Sequence, residues 1–257
     1  MRLKAPRLPV RLWHGGARGA LLVLCVWLSA AGTIAAAETI VAAHYTEPTT
    51  RYAHGVLGDN IEFGALEITV QSDARQSGGT QTVLTIRLPK NRVFEDLAPR
   101  LADVDLDGTN EVVVVESHQD TGAQLAIYNA AGEKLAATPH IGTRFRWLAP
   151  VAILDLDNDR HVEIAYIDRP HLAKTLRIWR FKNGGLTEIA TLPNLTNHRI
   201  GEDFISGGVR DCGASPELIV ANANWSRLIS VSYQNGWTQS DIGPFNGPAS
   251  FDQALNC

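Results

Sequence analysis

Short apolar runs of strand length recur along the chain at a nearly constant interval, each separated from the next by a polar turn. Val112 to Val115 and Ile164 to Ile167 are the clearest, and Leu218 to Val220 is a third. Each is followed by a second β-type run: Leu125-Ala-Ile-Tyr128, Leu176-Arg-Ile-Trp179 and Leu228-Ile-Ser-Val231. A Gly- or Asn-containing turn and a further alternating run come next, as in Asn183-Gly-Gly-Leu-Thr-Glu-Ile-Ala190. Alternation of this kind, rich in β-branched residues, predicts strands. A charged phrase recurs ahead of each unit: Arg92-Val-Phe-Glu95-Asp96, Arg144-Phe-Arg146-Trp147 and His198-Arg199-Ile-Gly-Glu202-Asp203. The expected repeat is four short strands in about 50 residues. A weaker copy precedes them, with Thr39 to Tyr45, Tyr52 to Leu57, Leu66 to Val70 and Thr82 to Ile86 as its strands. The quasi-repeats are 38–93, 94–143, 144–197 and 198–246, with a tail over 247–257, and helical periodicity is nowhere convincing.

Such a period implies an all-β chain: a small β-propeller of about four four-stranded blades, filling residues 38–257. One blade cannot bury both faces of its sheet, so it needs neighbours, and ring closure removes unpaired edges. An open or elongated array, or a ring completed by a second chain, is the competing arrangement.

The densest chemistry lies in the loops ahead of the first two central runs. Asp103-Val-Asp105-Leu-Asp107-Gly108-Thr109-Asn-Glu111 recurs as Asp155-Leu-Asp157-Asn-Asp159-Arg160-His161-Val-Glu163, so that Glu163 follows Glu111 by 52 residues. Calcium takes six to eight oxygen ligands, usually carboxylates with a backbone carbonyl and water. Positions one, three and five supply side chains, position seven (Thr109 or His161) a carbonyl, and the glutamate at position nine closes the shell. An EF-hand is disfavoured, because position twelve is Val114, inside a β-type run. A loop this full of protein carboxylates leaves few open coordination positions, so the expected Ca2+ is structural rather than catalytic. In the third copy Val209 and Gly213 replace two aspartates and leave Asp211 and Glu217, which predicts no metal there.

On these two motifs the chain resembles the FG-GAP and VCBS repeat proteins, whose fold is similar to the integrin alpha-chain N-terminal propeller. The resemblance covers roughly residues 94 to 243. It implies calcium loops between the first and second strands of a blade, and a propeller serving adhesion or ligand binding. It also implies that the other connections meet on the opposite face. Candidate ligand-binding residues there are Glu95, Asp96, Arg144, Arg146, Trp147, Asp168, Arg169, His171, Arg199, Glu202, Asp203 and Trp225. Charge pairing and stacking by such a set suit a protein or polar ligand, while salt bridges between blades are the plainer reading of the same residues. No Gly-x-Ser-x-Gly, His-Glu-x-x-His or phosphate-cradling loop is present. The leading expectation is therefore a non-enzymatic, exported, calcium-stabilised binding or scaffolding module. The alternative is a periplasmic enzyme acting on a carbohydrate or other polar polymer at the channel mouth.

Composition adds compartment and charge. Residues 1–37 carry Arg2, Lys4, Arg7, Arg11 and Arg18 without an acid, then an apolar stretch ending in Ala35-Ala36-Ala37. This reads as a secretory signal peptide cut after Ala37, with an uncleaved membrane anchor as the alternative. Without those five bases 18 Lys and Arg face 27 Asp and Glu, which disfavours nucleic acid and anionic membrane surfaces as partners. The expected location is periplasmic or secreted, without membrane insertion after cleavage. Cys212 and Cys257 remain in the mature chain, and an oxidising compartment argues for a disulfide between them. Free thiols or half a metal site are the other possibilities.

Overall fold

The computed structural model describes residues 38–72, 79–213 and 215–257. The expected signal peptide lies outside the described residues. Among the described residues no helix is long and apolar enough to cross a membrane.

Strands dominate. The chain begins with β1 (Glu38–Thr49), β2 (Glu62–Ser72), β3 (Gln81–Arg87) and β4 (Arg92–Phe94). The second stretch holds β5 (Arg100–Ala102), β6 (Glu111–His118), β7 (Gly122–Tyr128) and β8 (Lys134–Ala137). The third holds β9 (Leu148–Leu154), β10 (Glu163–Asp168), β11 (Thr175–Lys182) and β12 (Gly185–Pro193). Then come β13 (Leu195–Thr196), β14 (Gly208–Arg210), β15 (Glu217–Asn222), β16 (Arg227–Tyr233), β17 (Trp237–Pro244) and a short helix, α1 (Ala249–Leu255).

These strands form three open sheets, which corrects the expected propeller. An eight-stranded sheet runs β1-β2-β4-β6-β7-β8, with β3 on β2 and β5 on β6. A four-stranded sheet runs β12-β11-β10-β9, and a five-stranded sheet runs β13-β15-β16-β17 with β14 on β15. Among the described residues none of them closes, and these strands form no ring of four equal blades and no central channel. The reason lies in the first quasi-repeat. Its expected second strand, Tyr52 to Leu57, forms turns instead, with Tyr52 fully buried as a packing residue. The flanking strands β1 and β2 lengthen to 12 and 11 residues and pair with each other. β4 then joins both halves, matching Phe94 with Phe63 on one side and Glu116 on the other. The first quasi-repeat is thereby absorbed into the sheet of the second.

Alternation along the central strands explains how the sheets pack. Val113 and Val115 of β6 join Ile164 and Tyr166 of β10 in one buried cluster. Val112 and Val114, on the other face, pack with Leu66 and Ile68 of β2. Ala165 and Ile167 of β10 likewise turn to Leu218 and Val220 of β15. The far face of β15, through Ile219 and Ala221, is covered by Phe251 of α1. Side chains at successive positions of a strand point to opposite faces, so each central sheet is buried on both sides and its runs are continuously apolar. The tight β6–β7 turn requires Gly122: at φ +75° a Cβ there would stand 2.7 Å from the Thr143 carbonyl oxygen.

Candidate metal centre

The acidic loops open the central strand of each unit. Asp103 to Asn110 joins β5 to β6, and Asp155 to Val162 joins β9 to β10. Both are shaped by their own carboxylates. Asp103 accepts from the Asp107 amide at 3.0 Å and the Gly108 amide at 2.9 Å. Asp155 accepts from the Asp159 amide at 3.2 Å and the Arg160 amide at 3.0 Å. Glu111 receives the Val104 amide at 3.0 Å, and Glu163 receives the Leu156 amide at 2.9 Å. Thr109 donates its hydroxyl to Asp107 at 2.6 Å, while the ring Nδ1 of His161 lies 3.0 Å from Asp159. The repeat read from spacing is thus a repeat of hydrogen bonds.

In each loop one ligand oxygen from positions one, three and nine comes within 4.8 Å of the others: Asp103, Asp105 and Glu111, then Asp155, Asp157 and Glu163. Three acidic oxygens at that spacing could hold one hard cation. The second loop also holds a buried carboxylate oxygen without a partner, Asp157 Oδ1. An orphaned acceptor of this kind is costly unless something outside the chain satisfies it.

The two cages differ in charge. No basic side chain pairs with Asp103, Asp105, Asp107 or Glu111 among the described residues, and burial together with those three aspartates pushes Glu111 up to about 7. In the second loop Arg180 of β11 enters from the strand beside Glu163. Its Nε lies 2.7 Å from Glu163, one terminal nitrogen lies 2.8 Å from Asp159, and the other meets Asp157. The counterpart of Arg180 in the first unit is the neutral Asn129, one residue beyond the Val112–Tyr128 pair. In the third, eroded loop Glu217 also meets an arginine, Arg210 at 2.5 Å, but from the preceding strand β14 rather than the following one. Arg180 is the residue of this acidic cluster that spacing missed. Its signal was available, because in an antiparallel hairpin the residue facing Glu163 follows from counting outward from the turn.

The other expected site residues do not ring a channel mouth. Glu95 is fully buried, accepting from Ser117 and lying 2.5 Å from His54 Nδ1, and its backbone carbonyl accepts from Trp147 Nε1 at 2.8 Å. Asp96 is buried against Arg100. Asp168 is held between Arg169 at 2.6 Å and Arg177 at 2.8 Å. Arg144 lies over Phe145 at 4.6 Å, and Arg199 over Trp225 at 4.3 Å. Glu202 receives the Arg199 amide at 3.3 Å, and Asp203 is exposed. Arg146, Trp147, Arg169 and His171 do come together, in a cleft beside His54.

Comparison with known proteins is consistent with one repeat region. Residues 103–166 match the FG-GAP-like repeat family, a span that begins at the first acidic loop and ends in β10. This is one repeat region in a molecule of open sheets, which corrects the wider resemblance to an integrin-like propeller. No curated protein matches the chain. Among solved structures, that of a protein from Lactobacillus plantarum is similar at 13% identity, with a TM-score of 0.36. The match covers 71% of this chain and 54% of the other, so the chain spans about half of that protein. Without a ring or channel, the expected propeller binding module loses its face and the polymer-cleaving alternative loses its mouth.

Proposed function

We propose that the protein is a calcium-binding β-repeat protein, with a tight structural Ca2+ site at Asp103, Asp105, Asp107, Thr109 and Glu111. The carrying observation is a cluster of acidic oxygens that pairs with no basic side chain among the described residues. Oxygen-only, carboxylate-rich donors in a bending loop favour Ca2+ over the smaller Mg2+, which demands near-ideal octahedral geometry, and over Zn2+, which prefers nitrogen and sulfur. The ion ties β5 to the start of β6 and relieves repulsion among four carboxylates. The second loop, at Asp155, Asp157, Asp159, His161 and Glu163, binds the same ion more weakly, because Arg180 already neutralises part of its charge. A location outside the reducing cytoplasm, periplasmic or secreted, goes with this reading and is supported by the Cys212–Cys257 disulfide.

Thermal unfolding with calcium and with chelator tests the site. An ion that binds the folded chain stabilises it by mass action, about 2.7 kcal/mol at a hundredfold excess over Kd. Calcium therefore raises the midpoint of the wild-type protein, and Asp103→Ala removes most of that rise while Asp155→Ala leaves most of it. An equal rise in wild type and Asp103→Ala sinks the assignment.

A further inference from the structure

The cleft beside His54 is built from the segment after β1, the entrance to β9 and the turn after β10. Its volume is about 160 Å³, and His54, Phe145, Arg146, Trp147, His171 and Leu172 are among its lining residues. In a chain with 27 acids against 23 bases, no carboxylate lines it. The nearby acids are engaged elsewhere: Glu95 lies buried against His54 and Ser117, and Asp168 is clamped by Arg169 and Arg177.

Two polar groups are left over. The Arg146 guanidinium has no hydrogen-bond or ion-pair partner among the described residues, whereas Arg100, Arg169, Arg177 and Arg180 each meet a carboxylate. His54 uses Nδ1 on Glu95, and its Nε2 has no partner among the described residues. His171, its Nε2 3.0 Å from His198 Nδ1, is neutral at pH 7, because burial holds it down to about 4. Besides Arg169, whose guanidinium is taken up by Asp168, the remaining walls are apolar: Val56, Phe145, Trp147, Pro170, Leu172 and Ile200.

We infer that this cleft binds a small organic carboxylate, with Arg146 gripping the carboxylate and the aromatic and aliphatic walls covering the body. A planar guanidinium presents two parallel N–H donors that match a carboxylate. Small-ligand sites join an apolar lining to a few placed polar groups in this way. The volume suits a ligand of about one ring. The site is independent of the acidic loops and of any cation there.

Calorimetric titration of the calcium-loaded and chelated protein with benzoate tests the inference, with benzyl alcohol and inorganic phosphate run alongside. Benzoate binds in both states, and Arg146→Gln weakens it at least about tenfold, the loss of a charge-assisted pair. Benzyl alcohol, which lacks the charge, binds more weakly than benzoate. Leu172→Trp, at a position 61% exposed and therefore tolerant of change, blocks the cleft while leaving Arg146 in place. Failure of benzoate to bind, equal binding by Arg146→Gln, binding unaffected by Leu172→Trp, or benzyl alcohol binding as tightly as benzoate each overturns the inference. Phosphate binding more tightly than benzoate overturns the organic-carboxylate class.

Discussion

In the proposed reading, Arg180 sets how strongly the second acidic loop calls for an ion. Glu163 is fully buried and Asp157 nearly so, and both meet its guanidinium. Removing one partner of a buried pair leaves an uncompensated charge and costs about 3–5 kcal/mol. Arg180→Gln is therefore expected to lower stability by that order in chelator, and calcium to restore much of it as the vacated cage takes an ion. Denaturant titrations with and without calcium check both parts. A different residue controls the response to alkali. Burial, with Glu95, Asp59 and Asp96 nearby, raises Glu62 to about 9. The folded chain then holds a proton that the unfolded chain releases, so stability is highest below the ordinary glutamate range and falls as pH rises from there toward 9. Glu62→Gln flattens that fall, read as a thermal midpoint that drops less between pH 5 and pH 9 than the wild type's.

Among the elements, the third acidic loop and α1 form a fastened end. Cys212 pairs with Cys257 across 45 residues, and Arg210 joins Glu217 to the Ala254 carbonyl at the end of α1. Closing a loop of that length in the unfolded chain is worth about 4 kcal/mol in the chain-entropy account, and measured values often fall lower. Cys257→Ser is expected to cost about 2–4 kcal/mol and to expose Phe251, seen as a lowered denaturation midpoint. The disulfide was legible because Cys212 and Cys257 are the two cysteines beyond the expected signal peptide. The helix was not legible: Ala249 to Leu255 is seven residues with one buried side chain, too short to show a period. The central strands and their acidic loops were readable because β-branched runs followed each loop. The turn at Tyr52 to Leu57 was not, since a buried tyrosine there serves packing rather than a ladder.

At the scale of the molecule, alternation within each strand is what joins three open sheets into one packed body. Each central strand contributes to two clusters, so every sheet depends on its neighbours for burial. The repeat period carried this mutual dependence but not the closure. Closure would have required the first quasi-repeat to remain separate, and the Phe63–Phe94 pairing merges it with the second. For the charged phrases, counting residues by type suggested a surface, whereas Glu95, Asp96 and Asp168 are buried partners of His54, Arg100, Arg169 and Arg177. In the proposed reading the acidic loops hold Ca2+, and Arg180 opposite Glu163, against the neutral Asn129 opposite Glu111, ranks the two. Calcium titration by calorimetry tests that ranking directly. One tight site per chain, lost in Asp103→Ala and kept in Asp155→Ala, with a second site at least about tenfold weaker that tightens in Arg180→Gln, is the predicted result. Tight binding that survives Asp103→Ala, or two equal sites indifferent to Arg180, would contradict it.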